Sequence, residues 1–198
     1  MTVWIQNPFD NLPQEGFRKQ RYWLMAEAFV RAGHDVVYWT SDFSHATKRR
    51  RVLSDDKGSP RIELRMVPTK PYRRNVGLAR ICSHRRYAKD WQRLSSEAAK
   101  PDVVVASFPT ISAAAAAVRI GRKAGAKVVV DVQDAWPETF ERLAPRPLRW
   151  VMRILLLPLR LRARWIFREA DVVTGVCDRY RALVGRDDYY RAYLGIER

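Results

Sequence analysis

Short apolar runs rich in valine recur along the chain at residues 3–5, 35–40, 102–106, 127–132 and 171–176, and residues 62–67 alternate apolar with polar as a further strand. Longer segments with apolar residues near helical spacing separate them, at 18–32, 76–99, 111–121 and 148–167, with a last one from about residue 178. Runs this short and this continuously apolar suit strands buried on both faces. Alternating them with helices dictates a mostly parallel sheet carrying helices on each side. The spacing predicts an α/β fold, a Rossmann-like doubly wound parallel sheet. At 198 residues the chain fits one domain. Gly33 closes the first predicted helix, as glycine does just past a helix end.

Ligands of such sheets bind beyond the carboxyl ends of the strands. Four loops meet that criterion: 6–17, 41–45, 107–110 and 133–138. The longer polar stretch 41–61, with its block Lys48-Arg49-Arg50-Arg51, is expected to be a mobile loop. Gly16 ends the first loop and Arg18 opens the predicted helix, at whose start free amides favour anions; the bland alternative for Gly16 is a simple turn residue. Neither G-x-G-x-x-G nor a P-loop signature occurs, so a dinucleotide or NTPase site has no support, and no cofactor is expected.

The densest cluster is Asp131-Val132-Gln133-Asp134-Ala135-Trp136-Pro137-Glu138, at the end of the fifth run. Carboxylates at a strand mouth can orient hydroxyls, accept a proton or stabilise developing positive charge. The alternative is helix capping by Asp134, with Pro137 early in the helix. His45 lies in the second loop and is a candidate ligand contact, whereas His34 is expected to be structural and His84, among arginines, solvated. Ser107 is the candidate contact of the 107–110 loop, with Thr110 expected as an N-cap. Cys82 and Cys177 stand far apart, which excludes a disulfide scaffold and a cysteine zinc site and fits a reducing compartment. The histidines show no metal-ligand spacing, so no metal is expected.

The formal charge of +16 implies a polyanionic neighbour: nucleic acid, an anionic membrane face or phosphate-bearing substrates. Eight arginines and no acid lie between Arg142 and Arg168. At 100° per residue Arg149, Arg153, Arg160, Arg164 and Arg168 fall within an arc of about 100°. Leucines, isoleucines, Trp150 and Trp165 fill the rest, and Pro158 is expected to kink or break the helix. Such a segment can lie in a membrane interface, with Trp150, Arg153, Arg160, Arg164 and Trp165 as its contacts. It can equally be buried between the sheet and another domain. It cannot comfortably span, and no run of about 18 uncharged apolar residues exists. The first ten residues do not read as a secretory signal. A second basic tract, 65–93, interleaves arginines with Tyr72, Tyr87 and Trp91, which also suits nucleic acid, although it matches no known reader.

The separated pieces Pro13-Gln14-Glu15-Gly16-Phe17-Arg18, Ala32-Gly33-His34-Asp35-Val36-Val37, Trp39-Thr40-Ser41-Asp42-Phe43-Ser44-His45, 101–109, 131–138, 170–176 and Tyr193-Leu194-Gly195-Ile196 stand in an order that resembles the N-terminal half of GT-B glycosyltransferases of the family 4 type. The resemblance implies that residues 1–198 form the acceptor-side Rossmann-like domain of a retaining, nucleotide-sugar-dependent enzyme of bacterial envelope polysaccharide assembly. The acceptor would be lipid-linked or a glycan, and the enzyme would be cytoplasmic and peripheral on the inner face of the cytoplasmic membrane. It further implies that Gly16 approaches the donor phosphates, that Arg18 and His45 lie near the cleft, and that Asp134 and Glu138 stand on the acceptor side, with Asp134 catalytic or acceptor-orienting. The family's second domain, with its E-x7-E glutamate pair, binds most of the donor. No two glutamates here stand eight positions apart, so a donor-binding half is expected elsewhere, and the isolated chain is expected to be inactive. A non-catalytic module or subunit completed by a separate chain, and a basic nucleic-acid-binding protein, are the alternatives.

Overall fold

A computed structural model describes residues 1–53, 59–75 and 77–192. The expected runs become strands β1 (Thr2–Gln6), β2 (Asp35–Ser41), β3 (Ile62–Val67), β4 (Val103–Phe108), β5 (Lys127–Val132) and β6 (Val172–Gly175). A short edge strand, β7 (Tyr189–Arg191), follows them; its sequence has no apolar run to announce it. All pair in parallel in the order β3-β2-β1-β4-β5-β6-β7. Chain order reverses direction between β1 and β4, which creates the crevice where such sheets hold ligands.

Among the described residues seven α-helices connect and cover the strands: α1 (Arg21–Arg31), α2 (Leu78–Ser95), α3 (Ile111–Ala124), α4 (Glu138–Leu143), α5 (Arg149–Leu155), α6 (Leu157–Glu169) and α7 (Arg179–Val184). Helix α1 packs on Val3, Ile5, Tyr38 and Val105, on one face of the sheet. On the other face α2, α3 and α6 cover Trp4, Trp39, Val104, Phe108 and Val130. Ala113 to Ala117 of α3 are wholly buried, because methyl side chains let that helix lie against the sheet with α2 and α6 beside it. Gly121 brings α3 so close to β5 that a Cβ there would stand 2.3 Å from Val128 Cγ2.

The expected helices over 76–99 and 111–121 become α2 and α3 with ends shifted by a few residues, and two others differ for a plain structural reason. The first begins at Arg21 rather than 18, because a 3-10 turn at Pro13–Glu15 ends on Gly16 in the left-handed region, φ 79°, and Gln20 becomes the N-cap. The long segment expected over 148–167 is two helices meeting at Leu156, with Pro158 in the first turn of α6. Proline lacks the amide that a continuous helix would require and tolerates a first turn.

The amino ends of the strands are tied by polar pairs: Thr2 N–H to Asp102 Oδ2 at 2.7 Å, Arg61 to Asp35 at 2.8 Å and Lys127 to Asp171 at 2.9 Å. The opposite rim carries the candidate loops.

Candidate functional site

Beneath the mouth lies a buried polar hub. Asp131 of β5 accepts hydrogen bonds from Arg21 Nε at 2.9 Å, Arg21 Nη2 at 2.8 Å, Tyr22 Oη at 2.9 Å and Thr174 Oγ1 at 2.6 Å. Its side chain has no exposed surface. Burial and the neighbouring carboxylate push the Tyr22 phenol well above its ordinary range. The expected substrate contact at Asp131 gives way to a structural role, since the carboxylate is saturated by the first turn of α1 and by β6. Ser107 is likewise sealed in, 3% exposed, and its Oγ has no hydrogen-bond partner among the described residues. Thr110 holds the N-cap position of α3 without making the expected side-chain cap.

The rim above the hub is aromatic and cationic. Phe9, from the loop after β1, has ring contacts with His45 at 5.3 Å and His84 at 5.0 Å. Tyr72 Oη is 2.6 Å from His45 Nδ1, and the Lys48 ammonium lies 5.0 Å from the Tyr72 ring. The Arg80 guanidinium stands over both Phe9, at 5.3 Å, and Trp136, at 4.9 Å. Its Nε donates to His84 Nε2 at 3.3 Å, which requires a neutral imidazole at that nitrogen. Burial, with Lys48 and Arg80 nearby, pulls His45 down to about 4. Burial, Arg80 and His45 pull His84 down to about 3. His84, expected to be solvated, is thus packed among rings brought in from three other segments, those of Phe9, Tyr72 and Trp136, and sequence neighbours alone could not reveal it.

Asp134 stands half-exposed at this rim. Its Oδ1 accepts the Ala135 N–H at 2.8 Å, and its charge acts on Arg80 and Tyr180. Pro137 rather than Asp134 holds the N-cap position of α4, with no side-chain cap, and Asp134 Oδ1 also accepts the Thr139 hydroxyl at 3.5 Å. Glu138 instead points toward α6, 3.3 Å from Arg160. Gly16 and Arg18 are exposed, and a Cβ at Gly16 would meet nothing within 4 Å. The helix start expected beside Gly16 lies instead at Arg21, which turns inward.

Much of the stretch expected to be a mobile loop is folded. Phe43 and Arg50 form an antiparallel bridge, and buried Arg51 donates to Ser41 O and Asp10 O, both at 2.8 Å, while pairing with Glu15. Residues 54–58 of that stretch, and the 193–196 piece of the sequence resemblance, lie outside the described residues. Asp10, packed in this loop cluster, is raised to about 6 by burial.

The basic apolar segment does not form one continuous wheel. Arg153 and Arg160 turn to Glu141, the former at 2.7 Å, so Arg160 is an internal ion-pair partner and Arg153 is tethered. Trp165 is half-buried beneath Arg119 at 5.5 Å. Trp150 and Arg164 do point outward. Trp150, Ile154 and Leu155 are 60–65% exposed, beside exposed Leu143, Leu148 and Leu161. Among the described residues no helix is long and apolar enough to cross a membrane, and no group of three or more His, Cys, Asp or Glu could hold a metal ion.

A parallel sheet in this order, with its loops converging at the β1–β4 reversal, has the architecture of one half of a GT-B glycosyltransferase. The chain belongs to the glycosyl transferase 4-like domain family, whose match extends over residues 19–193. Its fold is similar to that of MurG from Acinetobacter baumannii, with a TM-score of 0.52 and 12% identity, covering 100% of this chain and 46% of that one. The chain thus spans less than half the length of that protein. No curated protein matches the sequence.

Proposed function

We propose that this chain is the acceptor-binding half of a retaining glycosyltransferase. It receives a sugar from a nucleotide-sugar onto a lipid-linked or polysaccharide acceptor at the inner face of the cytoplasmic membrane. A donor-binding half, on the same polypeptide or on a separate chain, completes the site. The observation that carries the reading is the juxtaposition at one rim of Asp134, the Arg80–His84–Trp136 stack and an exposed apolar-basic helical face.

The chemistry follows from those groups. Asp134 orients the acceptor hydroxyl and stabilises the positive charge that develops at the sugar in an oxocarbenium-like state. Neutral His84 keeps Arg80 in place as an anion contact. Glu138, held by Arg160, positions α4 rather than touching substrate. Gly16 and Arg18 border the opposite side, where the open left-handed turn leaves room for donor phosphates. The exposed apolar face around Trp150 and Ile154 lies against lipid, with the exposed Arg146, Arg149 and Arg164 on headgroup phosphates.

In an enzyme completed with its donor-binding half, Asp134→Asn abolishes sugar transfer while the circular dichroism spectrum and melting temperature stay near wild type. Near-normal turnover overturns the assignment. Cosedimentation with anionic vesicles exceeds that with neutral phosphatidylcholine vesicles; equal binding to both sinks the electrostatic part of the membrane reading.

A further inference from the structure

A groove of about 700 Å³ runs between the start of α2 and the α4–α6 segment. That size falls within the roughly 300–1,000 Å³ typical of small-molecule sites. Its walls are Leu78 and Ile81 of α2, Phe140 of α4, Met152 and Leu155 of α5, and Leu159 of α6. Pro109 and Trp136 line it from the loops after β4 and β5, so the groove reaches the rim where Asp134 stands. Three arginines, Arg80, Arg85 and Arg162, share this apolar lining. Among the described residues none of them makes an ion pair with a carboxylate; Arg80 donates to Asn75 O and His84 Nε2.

We propose that this groove binds one aliphatic chain of a phosphate-bearing lipid, with the phosphate on Arg80, Arg85 and Arg162 and the headgroup directed toward Asp134. The inference rests on the acceptor-half reading and deepens it, because it selects a lipid phosphate over a free polysaccharide as the acceptor class. Charge complementarity argues for that occupant. Three guanidinium groups beside apolar walls match an anion joined to a hydrocarbon, and neither half of such a ligand alone satisfies the site. Burial together with the neighbouring Arg119 and Arg85 charges depresses Arg162, and burial depresses Arg80, so a bound phosphate relieves both. A bilayer surface does not fill a concave groove. The exposed apolar surface around Trp150 and Ile154 is the part that a bilayer meets, and the groove beside it can receive a single chain drawn from that bilayer.

The test is isothermal titration calorimetry of the chain with farnesyl phosphate, farnesol and inorganic phosphate, each below micelle-forming concentration. Farnesyl phosphate binds with 1:1 stoichiometry, at least tenfold tighter than farnesol and at least a hundredfold tighter than inorganic phosphate. Ile81→Gln and Leu155→Gln, both at exposed positions, each weaken farnesyl phosphate at least threefold, and together at least tenfold. Arg162→Gln brings farnesyl phosphate and farnesol within threefold of each other. Equal affinity for farnesol and farnesyl phosphate in the wild type overturns the proposal. So does undiminished binding by the doubly substituted chain when its circular dichroism is unchanged.

The completed enzyme separates this inference from the reading beneath it. Farnesyl phosphate binding without any sugar transfer overturns the transferase reading and leaves the groove assignment standing. Undiminished transfer to a prenyl-phosphate-linked acceptor by the Ile81→Gln, Leu155→Gln enzyme overturns the groove alone.

Discussion

Arg21 meets Asp131 through two side-by-side hydrogen bonds of 2.9 and 2.8 Å, joining the first turn of α1 to the middle strands of the sheet with both side chains buried. Removing one partner of such a pair strands the other charge in a dry interior, which costs about 3–5 kcal/mol. Asp131→Ala therefore lowers unfolding stability by about that amount in urea titration, with Tyr22→Phe costing about 1 kcal/mol for its lost hydrogen bond. A loss below about 1 kcal/mol for Asp131→Ala would show that the pair does not hold α1 in place.

The rim titrates in two opposing directions. His45 and His84 are pulled below their ordinary 6.5, to about 4 and about 3, so their contribution to stability is complete above pH 6.5 and is lost as pH falls toward those values. Asp10 is raised from 3.8 to about 6, so its contribution is complete below pH 3.8 and is lost as pH rises through 6. Between pH 4 and 6 the two partly cancel. Melting temperature measured across that window rises less steeply with pH in His84→Phe and more steeply in Asp10→Asn. Identical slopes in both variants would contradict the burial of these groups.

Arginines facing an anionic bilayer contribute about 1 kcal/mol each near the surface. Replacing Arg146, Arg149 and Arg164 together by alanine is expected to weaken binding to phosphatidylserine-containing vesicles roughly a hundredfold, and to flatten its salt dependence. Trp150→Ala, by contrast, weakens anionic and neutral vesicles alike, because it removes apolar contact rather than charge.

Alanine at Gly121 pits helix propensity against space. The methyl gains roughly 1 kcal/mol in an exposed helix, but here it stands 2.3 Å from Val128 Cγ2. Overpacking of this kind costs about 1–3 kcal/mol, so Gly121→Ala lowers the melting temperature. A rise would mean that α3 and β5 lie further apart.

The sheet was legible because most of its strands are buried on both faces and so spell themselves as short apolar runs, while the edge strand β3 shows instead the alternation Ile62-Glu63-Leu64-Arg65-Met66-Val67 of a half-exposed strand. Strand β7 was not, since Tyr189-Tyr190-Arg191 at an edge needs no such run. Asp131 and Asp134 sit in one acidic cluster, yet strand geometry parts them. Asp131, between Val130 and Val132 inside β5, is held in the interior by Arg21, while Asp134 lies past the strand end at the rim. An aspartate within a valine run was the available signal that it needed a buried cation. His84 offered no such signal, because Phe9, Tyr72 and Trp136 converge on it from distant loops. The arc of arginines over 149–168 holds only on a single helical wheel, whereas the break at Leu156 divides that wheel and Glu141 draws Arg160 into a largely buried ion pair while Arg153, paired with the same carboxylate, stays exposed.

Because all seven strands run the same way, the molecule has two chemically distinct ends. The Asp35–Arg61 and Lys127–Asp171 pairs mark the end remote from the ligand loops, and both are solvent-facing. A cysteine placed at Lys127 would give a handle for a dye or a solid support on that side. With the exposed Cys82 and the partly exposed Cys177 replaced by serine, protein tethered through it would present the rim outward in a single orientation, open to vesicles and nucleotide-sugars alike.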